Sequence, residues 1–197
     1  EKDLVGLLSS NIGKRLSASS DLFKAVHESD VSILAVGTPY DGDEIDLKYV
    51  REVSMQLGLA LREKDSYHTI IVKSTVIPGT TDDLVIPLLE EYSNKKAGAD
   101  FGVGMNPEFL REGEAISDFM NPDRIVLGGI DKRTHDTMTE LYAGFIGVDI
   151  LLTNNKTAEM IKYTSNSLLA TLISFSNEIG NLSASLGGID ALDVMNG

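Results

Sequence analysis

The feature that most constrains this chain is a regular exchange of short apolar runs with longer amphipathic stretches. Val31-Ser-Ile-Leu-Ala-Val36, Thr69 to Val72, Phe101 to Gly104, Arg124 to Leu127 and Asp149 to Thr153 each have the length and composition of a strand. Between them, apolar residues recur at helical spacing from about Leu47 to Glu63, from Thr81 to Tyr92 and from Asp131 to Phe145. Asp46 and Asp131 stand where a helix N-cap is expected. Upstream, Asp21 to Glu28 reads as a short helix preceded by a possible strand around Leu16 to Ala18. Strand and helix in repeated alternation predict an α/β fold: a doubly wound parallel sheet with helices on both faces.

From Asn154 the rhythm changes. Ala158, Ile161, Ser165, Leu168, Leu172, Phe175, Ile179, Leu182 and Leu186 recur in alternating steps of three and four, with no proline among them. This predicts one long helix with a narrow apolar seam, stopped at Gly187-Gly188, before a second helix capped by Asp190. The seam has two readings: a helix lying on its own sheet, or one packed against a helix of another subunit.

Composition narrows the function. With 17 basic and 30 acidic residues the net charge is -13. No basic run offsets it, so nucleic-acid binding is not expected, although backbone amides and single lysines can still hold small anions. Cysteine is absent, which removes disulfides, thiolate metal sites and a cysteine nucleophile from these residues. Apolar runs such as Val31 to Gly37 are too short to span a bilayer, and no leader-like segment opens the chain, so the expectation is a cytoplasmic protein. The first residue is Glu1 rather than Met, which suggests a piece of a longer chain.

In open α/β sheets, ligands bind at the carboxyl ends of the strands. The nearest match to a glycine-rich phosphate turn, Gly102-Val-Gly104-Met-Asn-Pro107, ends in proline, and two glycines inside a strand are better read as close packing. Val36-Gly37-Thr38-Pro39 and Lys73-Ser74-Thr75 both put hydroxyl residues after an apolar run, which suits one shared cleft. Asn106-Pro-Glu108-Phe-Leu-Arg111-Glu112 places two carboxylates around an arginine, and buried carboxylates can serve as general bases. The polar run Asp118 to Arg124 follows in a loop. On the long helix, Lys162, Asn166 and Asn177 form a polar stripe beside the seam. A lysine there can hold an anion or a developing oxyanion, or can simply face solvent. His27, His68 and His135 have no metal-ligand spacing and read as surface residues.

Taken together and in order, Val36-Gly-Thr-Pro39, Lys73-Ser-Thr-Val-Ile-Pro-Gly-Thr80, Asn106 to Glu112, Pro122-Asp-Arg-Ile-Val126 and Ala158-Glu-Met-Ile-Lys162 with Asn166 and Asn177-Glu178 resemble the UDP-glucose/GDP-mannose dehydrogenase family. The resemblance runs from about Ser20 onward. It implies a Rossmann-like cofactor domain over residues 1–153 and the start of a central helical dimerisation domain over 154–197. It implies NAD as cofactor, a nucleotide sugar as substrate and a homodimer formed through the helix at 154–187. The implied reaction is a four-electron oxidation of the sugar's C6 alcohol to the uronic acid, passing through a thioester on the family's cysteine. Carried onto this sequence, Gly37, Thr38, Thr75 and Glu112 contact the cofactor, and Thr75 also lies near the catalytic water. Glu112 is the base for thioester hydrolysis. Glu108, Phe109, Leu110 and Arg111 line the sugar pocket, Lys162 stabilises the oxyanion, and Asn166 and Asn177 contact substrate.

The family's glycine-rich first turn, its ribose-holding acidic residue, its C-terminal nucleotide-binding domain and its cysteine all lie outside this sequence. These 197 residues alone are therefore expected to be inactive. Lys95 to Gly104 resembles the GDP-mannose enzymes, whereas Leu169 stands where those tend to carry a histidine, so both sugars stay open. Two other readings compete: a 6-phosphogluconate or 3-hydroxyacid type of dehydrogenase, and a non-catalytic module that dimerises through the seam.

Overall fold

A computed structural model describes residues 3–40 and 42–197. Strands β1 (Val31–Leu34), β2 (His68–Val72), β3 (Phe101–Met105), β4 (Arg124–Gly129) and β5 (Asp149–Thr153) form one sheet in sequence order. Helices α1 (Leu4–Asn11) and α2 (Leu22–His27) precede it, α3 (Lys48–Arg62) and α4 (Ile86–Ser93) join the first three strands, and α5 (Ala115–Met120) and α6 (Lys132–Leu141) flank β4. The chain closes with the long α7 (Asn155–Leu186) and α8 (Ala191–Asn196).

Alternation along β2 shows why the sheet carries two cores. Ile70 and Val72 pack with Val50, Leu57, Leu61 and Leu89 of α3 and α4, while Ile71 joins Leu127 and Met138 of the α6 side. Strand side chains point to opposite faces in turn, so a run apolar at every position must be covered twice. The strand glycines serve this packing: a Cβ on Gly104 would lie 2.3 Å from Met138 Sδ, and one on Gly102 2.7 Å from Thr134 Oγ1. They bring α6 onto the sheet and form no phosphate turn.

Three local expectations are corrected. Residues 16–18 form no strand; Leu16 makes one isolated bridge to Ile12. The helix expected from Thr81 begins as a π-helical turn over Thr81–Val85 before turning α-helical, and Pro87 stands at its new start. The sheet is also not wholly parallel: β1, β2 and β3 pair in parallel, as do β4 and β5, but β3 and β4 are antiparallel. The cause is the connection. A parallel return needs a crossover across the sheet, and residues 106–123 supply only the six-residue α5, so the chain stays at the carboxyl end of β3. That detour builds the cleft described below.

At 32 residues α7 is about 48 Å long. Its first turns are anchored through buried Asn155, Ala158, Glu159 and Lys162, and near its far end Ser183 alone among the described residues is buried. Farther along, Leu168, Leu172, Phe175, Leu182 and Leu186 are each more than half exposed.

Candidate functional site

The carboxyl ends of β1 and β2 are tied together. The Thr38 hydroxyl donates to Thr75 O at 2.7 Å, and Ser74 Oγ donates to Val36 O at 2.6 Å. A Cβ on Gly37 would meet nothing within 4 Å, so this strand end is open to a ligand. The expected cofactor residues Gly37, Thr38 and Thr75 therefore share one rim, and an open backbone beside fixed hydroxyls suits a ribose or a flat ring.

Beside this rim lies a cleft of about 570 Å³, walled by Lys73, Asn106, Glu108, Arg111, Asp118 and Tyr142 among others. Glu108 of this wall is ion-paired: Lys162 Nζ of α7 lies 2.9 Å from its Oε1. Lys162 is only 6% exposed while the Glu108 side chain is 30% exposed, so the pair is partly shielded from the water that weakens surface pairs. Burial pushes the Glu108 carboxyl up, but the Leu110 amide, Lys162 and Lys73 together hold it below its ordinary value. The Leu110 amide donates to Glu108 Oε2 at 2.6 Å. The Phe109 ring lies between two cations, with the Arg124 guanidinium 4.6 Å and Lys162 Nζ 5.5 Å from its centroid.

The other expected residues are placed as follows. Leu110 is exposed at the cleft mouth. Arg111 binds Asp118 through both side chain and amide, with Nη2 to Oδ1 at 2.6 Å, which closes the loop on itself. Glu112 is exposed and does not share the Glu108–Lys162 contact. Asn166 and Asn177 are exposed on α7, about 6 Å and 22 Å along the axis from Lys162. Of the stripe, Lys162 alone reaches the ion pair.

Sequence reasoning assigned no role to four residues that organise this region. Asn106 is buried and takes part in every direction: its amide donates to Val72 O, its Nδ2 to Val126 O, and its Oδ1 accepts from Lys73 Nζ at 2.9 Å and from the Tyr142 hydroxyl. Lys73 stood in a recognised motif, and its value as a second cleft cation could have been read there. Tyr142, just past α6, carried no signal. Glu159 is fully buried and accepts from the Gly79 amide at 2.5 Å and the Thr81 amide at 2.8 Å, locking α7 onto the start of the π-helical turn. The histidine reading is corrected in part: His27 is exposed, but His135 is half-buried against Thr153 O and His68 is wholly buried. Among the described residues no group of three or more His, Cys, Asp or Glu could hold a metal ion, and no helix is long and apolar enough to cross a membrane.

A mostly parallel sheet with a charged cleft at its strand ends and a long helix that brings Lys162 to Glu108 defines an α/β protein of Rossmann-like build. Comparison with known proteins makes this specific. Residues 1–146 match the model for the UDP-glucose/GDP-mannose dehydrogenase family, NAD binding domain, and residues 156–197 match that family's central domain. The chain belongs to the UDP-glucose/GDP-mannose dehydrogenase family. It is 49% identical to GDP-mannose 6-dehydrogenase of Pseudomonas aeruginosa over 92% of its own length and 41% of that protein. It is 38% identical to UDP-glucose 6-dehydrogenase AglM of Haloferax volcanii over 99% of its length and 46% of that protein. A crystal structure of a ternary complex of GDP-mannose dehydrogenase from Pseudomonas aeruginosa superposes on the whole chain with a TM-score of 0.94 at 46% identity, using 45% of that structure. UDP-glucose dehydrogenase from Pyrobaculum islandicum superposes with a TM-score of 0.86 at 39% identity over 98% of this chain and 43% of that one. The chain thus spans less than half the length of these relatives.

Proposed function

We propose that this chain supplies the NAD-binding part and the start of the central helix of a nucleotide-sugar 6-dehydrogenase, divided near residues 153 and 154. The observation that carries the reading is the partly shielded Lys162–Glu108 pair beside the Thr38–Thr75 rim. NAD, bound with its ribose and ring toward Gly37, Thr38 and Thr75, would accept hydride from the substrate. The chain's own residues do the rest. Glu108, Phe109, Leu110 and Arg111 line the sugar pocket, and Asn166 and Asn177 extend the contact along α7. Lys162 holds the oxygen on which negative charge develops, a role suited to a fixed cation in a partly dry site. Glu112, exposed at the mouth of the loop, acts as the base that activates water with Thr75 beside it.

The exposed apolar residues of α7 support a homodimer through that helix: Leu168, Leu172, Phe175 and Leu182 share its seam and cover little of their own domain. Sedimentation of the protein and of a Leu172→Asp variant tests it, and an unchanged mass for both would defeat the dimer.

The activity is tested on the full-length protein, offered NAD with GDP-mannose and with UDP-glucose in separate assays. Two NADH per sugar and a uronic acid product are expected with one of them. Lack of turnover with every nucleotide sugar would overturn the reading.

A further inference from the structure

Lys73 is a cation of the cleft wall to which none of the roles above is given. It ends the apolar run of β2, and its ammonium is half-buried against the cleft wall. It is aimed by its partner rather than by a carboxylate: Nζ donates to Asn106 Oδ1 at 2.9 Å and lies 3.4 Å from Asn106 O. Asn106 cannot turn away, because its Nδ2 is spent on Val126 O and the Tyr142 hydroxyl donates to the same Oδ1. Two residues later the chain reaches Glu108. Lys162 pairs with that carboxylate, and Lys73 holds the start of the loop that carries it.

We infer that Lys73 is a positioning residue for the dehydrogenase reaction: bonded to Asn106, which Tyr142 and Val126 also hold, it fixes the Asn106–Glu112 loop and so the place at which Glu108 meets Lys162. The inference rests on the proposed function above. Lys162 of α7 pairs directly with Glu108, whereas Lys73, just past β2, acts on it through space while bonding Asn106. Of the remaining charges on the cleft wall, Arg111 is paired with Asp118, and Arg124 lies over Phe109 with Asp123 beside it in sequence. Burial and the charge of Lys162 both lower the Lys73 ammonium's affinity for its proton, while Glu108 raises it. Loss of the Lys73 charge removes one of the influences that hold Glu108 down, so Glu108 must ionise at a higher pH.

The test uses three variants of the full-length enzyme. Lys73→Met removes charge and hydrogen bond, Lys73→Gln removes the charge but keeps a donor on a slightly shorter side chain, and Lys73→Arg keeps the charge. With the preferred sugar, Lys73→Met is expected to lower kcat by about tenfold to a hundredfold, the scale of a small misplacement in a catalytic site, with KM for NAD unchanged. The acid limb of kcat/KM should move to higher pH in Lys73→Gln and Lys73→Met and stay in place in Lys73→Arg. A purely structural lysine would lower the thermal midpoint without moving that limb. If Lys73→Met does not fold, Lys73→Gln against Lys73→Arg still decides. An active parent whose acid limb is the same in all folded variants overturns the inference and leaves the proposed function standing. A parent inert toward every nucleotide sugar overturns both.

Discussion

His68 should make this protein's stability fall on mild acidification, by an amount the structure allows to be worked out. The ring is wholly buried at the start of β2. Ser29 O can only accept, so Nδ1, 3.0 Å away, carries the proton; Nε2 then accepts from the Ser32 hydroxyl at 2.8 Å. Both nitrogens are satisfied with the ring neutral. A second proton would put a charge in the core, against desolvation first and the nearby Lys64 ammonium second, with Ser29 O and Asp30 favouring it; its pKa is lowered to about 4 from 6.5. Between those values the unfolded chain binds the proton and the folded chain does not, so stability rises with pH across this window. At 1.36 kcal/mol per pH unit, the gap from 6.5 to about 4 corresponds to at most about 3 kcal/mol, present in full above pH 6.5 and lost as pH falls toward 4. That is a large share of a typical domain's stability of about 5–15 kcal/mol. The assay is urea unfolding of the parent and of His68→Gln at several pH values from 7.5 to 4.5. Carboxylates elsewhere contribute equally to both, so the difference isolates the histidine. His68→Gln should be the weaker protein at pH 7.5, and the gap should close or reverse as pH falls. Parallel curves for the two proteins would refute the reasoning.

Four further outcomes are expected. In the full-length enzyme, Lys162→Met should lower kcat by about a hundredfold to a thousandfold, as loss of one preorganised oxyanion partner does elsewhere, and Glu112→Gln by about a hundredfold or more; steady-state kinetics with the preferred sugar read both. Gly104→Ala should cost about 1–3 kcal/mol in chemical unfolding, because its methyl would lie 2.3 Å from Met138 Sδ and 2.8 Å from Gly128 O. Glu159→Gln should cost about 1–3 kcal/mol by the same measurement, since the Gly79 and Thr81 amides bond different carboxylate oxygens and the variant's NH2 would face one of them, donor against donor.

Much of the scaffold was legible because it depends on local chemistry. Asp131 and Asp190, read as caps, accept amides of the first helical turn from Thr134 and Leu192, whereas Asp46, read as a third, accepts from Lys48 one residue before the actual cap, Leu47. The five strands and the long helix follow from period and length alone. What failed to show in the sequence depends on partners far along the chain. Glu159 sits between Ala158 and Met160 and reads as a solvated helix charge; it is buried because amides 78 and 80 residues away come to it. His68 lies at the head of an apolar run, but only the placement of Ser29 and Ser32 makes its burial affordable. Strand direction left no mark either, since apolar periodicity is the same whichever way a strand runs.

The direction of β4 is also what links fold to site. Had residues 106–123 crossed the sheet as a full helix, the Asn106–Glu112 segment would have been drawn away from the strand ends after only a few residues. The antiparallel return keeps it there and lets β4 begin beyond the end of β3, so that the two strands pair only at Gly104–Gly129 and Met105–Gly128. Arg124 is then free to lie over Phe109, and Val126 O to hold the Asn106 side chain. With β5 parallel to β4, the chain leaves the sheet close to this same loop, and α7 starts where Ala158 packs on Gly128. One turn later Lys162 meets Glu108. Anchored by Glu159 to the turn at Gly79 and Thr81, the helix has little freedom to slide, and a shift of one residue, about 1.5 Å along its axis, would part the pair. The reversed strand, the buried glutamate and Lys162 are therefore parts of one arrangement. For that reason Glu159→Gln in the full-length enzyme should weaken catalysis as well as folding, although its carboxylate lies outside the cleft.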